Sequence, residues 1–155
     1  MAAIQLSEKQ KELIEKLGIM FERSGMTPAQ TRIIALLMIS DRVELSFDEI
    51  RETLQLSKSA TSNSLNTLLI TDRITYTTKI GDRKRYFKSK IATFGTDFEK
   101  QFNQLIKVKE IFQEILESRT KETPEFNSKM AKLIDFLDYF QQEFPAFMKK
   151  WETRQ

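Results

Sequence analysis

The chain has 155 residues, one domain's worth on the usual scale of roughly 100–200. With 40% hydrophobic and 30% charged residues, four Gly and three Pro, it reads as a folded, loop-poor protein and not as a disordered one. Cys and His are both absent, which excludes thiol and Ser-His-Asp catalysis, disulfides and Cys/His zinc sites. No constellation supports an enzyme, and no cofactor or metal is expected. The opening MAAIQLSEKQ has no apolar stretch of the signal-peptide kind, and no run of 18 apolar residues exists, so a cytoplasmic protein is the expectation.

The net charge of +3 is unevenly spread. Residues 57–90 carry eight basic residues against Asp72 and Asp82, a balance of +6 that leaves −3 for the rest of the chain. Such a segment fits either a polyanion contact or a basic solvated surface.

Capping boxes mark the helix starts, because cap and N3 side chains satisfy each other's unpaired backbone donors. Ser7 with Gln10 opens a first helix with Leu13, Ile14, Leu17, Met20 and Phe21 at 3–4 spacing, ended by Ser24-Gly25. Thr27 with Pro28 and Gln30 opens a second, apolar nearly all round through Ile33–Ile39 and therefore central. Asp41-Arg42 breaks it, and Val43-Glu44-Leu45 predicts a short strand. Ser46 with Glu49 caps a third helix, with Phe47, Ile50 and Leu54 inward.

A tight turn at Gln55-Leu56 leads to Ser57, which caps a fourth helix running to about Ile70. Leu65, Leu68 and Leu69 form its inner stripe, yet Lys58–Ser64 are almost all small and polar. Such residues are poor helix formers, and they suit a helix end that enters a groove and touches base edges. Ile74–Ile80, then Gly81-Asp82, then Tyr86-Phe87 predict a β-hairpin rimmed by Lys79, Arg83, Lys84 and Arg85.

From about Phe94 the pattern is helical again. Thr96 with Glu99 suggests a cap, and Phe98, Phe102, Leu105, Val108, Phe112 and Ile115 form a stripe up to Arg119. Pro124 starts the last helix. Its Phe126, Met130, Leu133, Leu137, Phe140, Phe144, Phe147 and Trp151 recur at alternating spacings of 4 and 3, a heptad seam. Pro145 inside it should kink or interrupt the helix.

This order of elements is that of a winged helix-turn-helix, which places its second helix in the major groove and a basic hairpin beside it. The expected fold is mostly α, with a two-stranded β-wing and long N- and C-terminal dimerisation helices. The expected segments are 1–24 for N-terminal dimerisation, 25–92 for the winged helix and 93–155 for C-terminal dimerisation. Long apolar stripes outside a small winged helix lack partner surface in one chain. A homodimer, with Leu13, Leu17 and the eight seam residues at its interface, provides it and matches a pseudo-palindromic operator.

The runs Gly25–Leu37, Leu56–Ser62 and Gly81–Tyr86 resemble the MarR superfamily, and most of all its GbsR-like branch, over about residues 10–95. The resemblance implies a bacterial, homodimeric transcriptional regulator. Its recognition helix maps to about Lys58–Ile70 and its wing to Ile74–Ser89. Asp82-Arg83 matches the family's wing element, in which the arginine probes the minor groove and the aspartate braces it. Two residues depart from the pattern: Asp72 stands where the family has a helix-ending glycine, and Arg73 where it has an apolar residue.

The sequence therefore assigns base contacts to Ser59, Thr61, Ser62, Asn63 and Asn66, with Arg83 in the minor groove, and phosphate contacts to Lys58, Lys79, Lys84, Arg85 and Lys88. Phe98, Phe102, Phe112 and Tyr139 read either as ordinary dimer core or as a small-molecule effector pocket. The competing functional class is a winged-helix module that holds another protein and binds no DNA.

Overall fold

Side-chain caps start four of the helices of the computed structural model, which describes residues 3–154. The Ser7, Thr27 and Ser46 hydroxyls each accept from the N3 backbone N–H of α1 (Glu8–Glu22), α2 (Pro28–Ile39) and α3 (Phe47–Thr53), and Gln10, Gln30 and Glu49 close the boxes. Ser57 caps α4 (Lys58–Ile70) by accepting from Ala60 N–H. β1 (Leu45–Ser46), β2 (Ile74–Lys79) and β3 (Asp82–Ser89) form an antiparallel sheet in the order β1-β3-β2. The wing is thus extended by a third strand, which forms at Leu45–Ser46 and not at 43–45. Leu45 pairs with Phe87, and Tyr76 pairs with Phe87 from the other side. After a short turn at Ile91–Thr93 come α5 (Phe94–Ser118) and α6 (Pro124–Glu152).

Two compact units result, Met1–Thr93 and Phe94–Gln155, so α1 lies in one unit with the winged helix. Met1, Ala2 and Gln155, the outermost residues of the expected end segments, lie outside the described residues. The first unit is built on Ile33, Leu36, Leu45, Ile50, Leu65, Leu68 and Ile74, all essentially without solvent exposure. At roughly 1.5–3 kcal/mol for a fully buried aliphatic side chain, this cluster is the main stabilising term of the unit.

In the second unit Phe102, Ile106, Phe144 and Met148 pack together with Phe140, and the Phe102 and Phe144 rings stack at 3.7 Å between centroids. The turn is closed by Arg119, whose guanidinium donates to Asn127 Oδ1 at 2.7 Å and Thr123 Oγ1 at 2.8 Å, while Asn127 donates to Thr120 O at 2.9 Å.

Several expectations are corrected here. α6 runs unbroken through Pro145. The proline removes one backbone donor, but burial of Phe144 and Met148 on either side holds the helix. α5 starts at Phe94, so Thr96 is inside the helix and does not cap it. The heptad seam is not one free face. Leu137 (3% exposed) and Phe144 are buried inside the chain, with Phe140 packed beside them. Phe126 lies under the Arg119 guanidinium at 4.3 Å. The Trp151 ring packs on Gly95, where an added Cβ would stand 3.0 Å from it. A helix whose apolar arc is wide presents two overlapping stripes, and α6 turns the one through Ile134, Leu137, Phe144 and Met148 inward.

The capping box at β1 is the most tightly bonded of the three. Glu49 (2% exposed) accepts the Ser46 N–H at 2.8 Å and hydroxyl at 2.7 Å on one oxygen and Arg42 at 2.5 Å on the other. Burial alone would raise its pKa, but the Ser46 backbone, the Ser46 hydroxyl and Arg42 together hold it below 4.5. A depressed carboxyl stabilises the fold fully above its unfolded pKa and loses that contribution as pH falls through the folded value. Glu49→Gln should therefore lower urea-unfolding stability by about 1–3 kcal/mol at pH 7. The gap from wild type should narrow below pH 4.5, whereas a constant gap from pH 7 to 3 would mean that its charge contributes nothing.

Candidate nucleic-acid interface

The short link from α3 to α4 sets the helix-turn-helix. Gln55 takes a left-handed conformation (φ 53°), and Leu56 N–H reaches Arg51 O at 3.0 Å. The same device ends α4. Asp72 is left-handed (φ 55°), its N–H donating to Leu69 O at 3.1 Å and Arg73 N–H to Leu68 O at 2.8 Å. The family's glycine is thus replaced without loss of the turn, since a short polar side chain tolerates this region better than most. Asp72 also pairs with Lys90 at 2.7 Å, tying the helix end to the exit of β3.

Between these turns α4 is divided lengthwise. Thr61, Ser64, Leu65 and Leu68 are buried, while Lys58, Ser59, Asn63, Asn66 and Thr67 are exposed and Ser62 is half-buried. This corrects one assignment. Thr61 has 0% exposure and its hydroxyl donates to Ser57 O at 2.9 Å, so it caps the core side of the helix and cannot reach a base. Ser62 and Asn66 instead line a groove of about 330 Å³ with Asp48, Arg83, Lys84 and Arg85, bringing α4 and the wing onto one surface. Arg85 lies over the Tyr76 ring at 4.8 Å, which orients its guanidinium.

The wing tip is held by Asp82, which accepts Lys84 N–H at 2.9 Å and the Tyr86 hydroxyl at 2.6 Å. Those two bonds, Tyr86 first, lower the Asp82 pKa, and Asp82 with burial raises that of Tyr86. Asp82 thus braces the hairpin backbone beside Arg83.

Not every wing cation faces outward. Lys79 and Lys88, expected at phosphates, both pair with Glu44, at 2.6 Å and 3.3 Å. Glu44 also accepts the Thr77 hydroxyl at 3.1 Å, and its carboxyl is held down to about 2, by Lys79 above all and against an opposing effect of burial. Glu44 was not singled out in the sequence, because its partners lie far along the chain and meet it only across the sheet. Lys58, Arg73, Arg83 and Arg85 have no acidic partner within 4.0 Å among the described residues. Of the four residues read as dimer core or effector pocket, Phe98 and Phe102 meet on the Phe144 ring, with Phe98 also stacked on Phe94, whereas Tyr139 is 63% exposed on the opposite side of its helix from the buried residues. Among the described residues no group of His, Cys, Asp and Glu could hold a metal ion.

Fold and site together define a winged helix-turn-helix with a polar recognition-type helix beside an arginine-bearing wing. Residues 24–85 match the model of the MarR family. The chain is similar to a crystal structure of a transcriptional regulator at 19% identity and a TM-score of 0.74, covering 94% of this chain and 99% of that one. It is more loosely similar to Staphylococcus aureus MepR in complex with DNA, at 17% identity and a TM-score of 0.41 over 83% and 92% of the two chains. A similarly loose likeness is to the zinc-responsive MarR family member ZitR of Lactococcus lactis, at 17% and 0.39 over 88% and 99%. A search of curated protein sequences finds no match.

Asp82→Asn should bring the Tyr86 phenol back toward its ordinary value of 10.0 in an ultraviolet pH titration. An unaltered Tyr86 titration would mean that Asp82 does not hold the ring.

Proposed function

We propose that this chain is a MarR-family transcriptional regulator of the GbsR-like type. It binds a pseudo-palindromic duplex operator as a homodimer in the bacterial cytoplasm. One observation carries the reading: the outward face of α4, with Ser59, Ser62, Asn63 and Asn66, opens onto the same groove as Arg83 and Arg85 of the wing. Short amide and hydroxyl side chains read base edges, and arginine serves phosphates or a narrow minor groove. Asn63 and Asn66 match the bidentate pairing with adenine. Lys58, Lys84 and Arg85 are then the phosphate contacts, which supply affinity and set register. No helix among the described residues is long and apolar enough to cross a membrane.

The homodimer rests on unpartnered apolar surface within each unit. Leu13 and Met20 are exposed on α1, and Leu105, Ile111, Leu133 and Phe147 on α5 and α6. Scattered apolar residues are ordinary on a monomer, but contiguous stripes of this length mark an interface. The operator spacing that follows is about 34 Å, one helical turn.

Asn63→Ala should weaken operator binding by about 1–3 kcal/mol and random duplex far less, measured by fluorescence anisotropy. Equal losses on both would reduce Asn63 to a backbone contact. Thr61→Val should change neither by more than about 0.5 kcal/mol, as expected of a buried residue outside the interface. Binding that ignores salt would instead favour the module that docks another protein.

Leu133→Glu adds a charge at an exposed seam position, so the single chain tolerates it but an interface does not. Sedimentation should give a wild-type dimer and a folded Leu133→Glu monomer. A monomeric wild type at micromolar concentration would remove the palindromic operator from the reading.

A further inference from the structure

Glu44 and the two lysines it holds account for part of the basic segment in a way the recognition surface does not use. Thr77 pairs with Tyr86 across β2 and β3, and Lys88 follows Tyr86 by two, so alternation places Thr77, Tyr86 and Lys88 on one sheet face. Arg85 and Phe87 point to the other face, and both line the groove shared with α4. Glu44 stands beside Leu45, opposite this strand pair, and closes the first face with Lys79, Lys88 and Thr77 on its two oxygens. The Lys79 ammonium also sits over the Tyr86 ring at 4.1 Å. In the clasp the Glu44, Lys88 and Lys79 side chains are 23%, 31% and 54% exposed, whereas an open surface pair such as Lys129–Glu125 has 72% and 82%. The clasp is therefore partly shielded, and it is less weakened by water and salt than such pairs are.

We propose that Glu44 is a specificity-determining residue: it sequesters Lys79 and Lys88 from the DNA backbone and so limits sequence-independent binding. The proposal rests on the DNA-binding reading above. Non-specific affinity grows with each phosphate a cation neutralises, whereas base readout does not. Two free lysines would add to that sequence-independent attraction. Held on one carboxylate, the three groups act as a cluster of net +1. For either lysine to reach a phosphate it must leave Glu44, and the carboxylate would then stand underpaired beside a polyanion. The cluster thus leaves Lys58, Arg83, Lys84 and Arg85 as the cations that act, on the face where the polar residues of α4 can read sequence. It also ties the loop before β1 to both wing strands, so the same residue positions the wing.

The test uses the full-length protein and random-sequence duplex, with binding followed by fluorescence anisotropy over a salt series. Glu44→Gln keeps the shape of the site but removes its charge and replaces one acceptor oxygen with an amide donor. It should tighten random binding and steepen the slope of log K against log salt, by about 0.9 for each lysine released. Lys79→Met should leave the wild-type slope unchanged, yet in the Glu44→Gln background it should take back about 0.9. An unchanged slope in Glu44→Gln overturns the proposal while leaving DNA binding intact. So does a loss of about 0.9 on Lys79→Met in the wild type, which would make Lys79 a phosphate contact after all. A wild type with no salt-dependent binding to duplex overturns both readings together.

Discussion

Burial of Thr61, Leu65 and Leu68 fixes the rotation of α4 about its own axis, and the proposed interface depends on that angle. The three residues fall at spacings of four and three, on one side of a helix with 3.6 residues per turn. Slipping by one residue would turn the helix by roughly 100° and expose two leucines, at about 1.5–3 kcal/mol each. The core therefore determines which polar residues face out. Thr61 takes part as a small residue that bonds its own backbone at Ser57, so its side chain needs no partner elsewhere. The Ser57 cap and the left-handed Asp72 then fix the two ends of the helix, which prevents Ser59 and Asn63 from sliding along the axis relative to the wing.

A second constraint is electrostatic, and it acts by subtraction. The segment 57–90 carries +6 in sequence, but Glu44 lies outside it and Asp72 inside it, and between them they hold Lys79, Lys88 and Lys90. The cations that remain without an acid are concentrated at Lys58, Arg73, Arg83 and Arg85. Arginine is well suited to that position. Its planar guanidinium keeps its charge, stacks on rings as Arg85 does on Tyr76, and presents paired donors to phosphates or base edges. Lys79, Lys88 and Lys90 are instead held in pairs on Glu44 and Asp72.

What could be read from the sequence divides by range. The caps at Ser7, Thr27, Ser46 and Ser57 span three residues each, so their chemistry is complete within a short window. The order of helices and hairpin is legible for the same reason, being punctuated by Gly25, Pro28, Gly81 and Pro124. Thr61 was misplaced because small polar residues look alike in sequence, and only the register of Leu65 and Leu68 against the core separates inward from outward. The Glu44 clasp was missed because it joins residues 33 to 44 positions apart through strand pairing. The α6 seam misled because Leu137, Phe140 and Phe144 belong to two overlapping apolar stripes. Periodicity alone does not say which stripe meets α5.

The second unit shows why intramolecular packing of that kind still leaves a requirement unmet. Two helices touch along one line, so a hairpin of this sort shields only the facing arc of each. Here that arc is filled by Phe102, Ile106, Leu137, Phe144 and Met148. Leu105, Val108, Ile111 and Ile115 on α5, and Leu133, Phe136 and Phe147 on α6, stay in water. At 25 cal/mol per Å² of apolar surface, covering side chains of this size is worth several kcal/mol, comparable with the whole stability of a small domain. A segment of this length has too small a core to forgo that gain. The proposed homodimer recovers it with no new element, by setting the uncovered arcs of one copy against those of another.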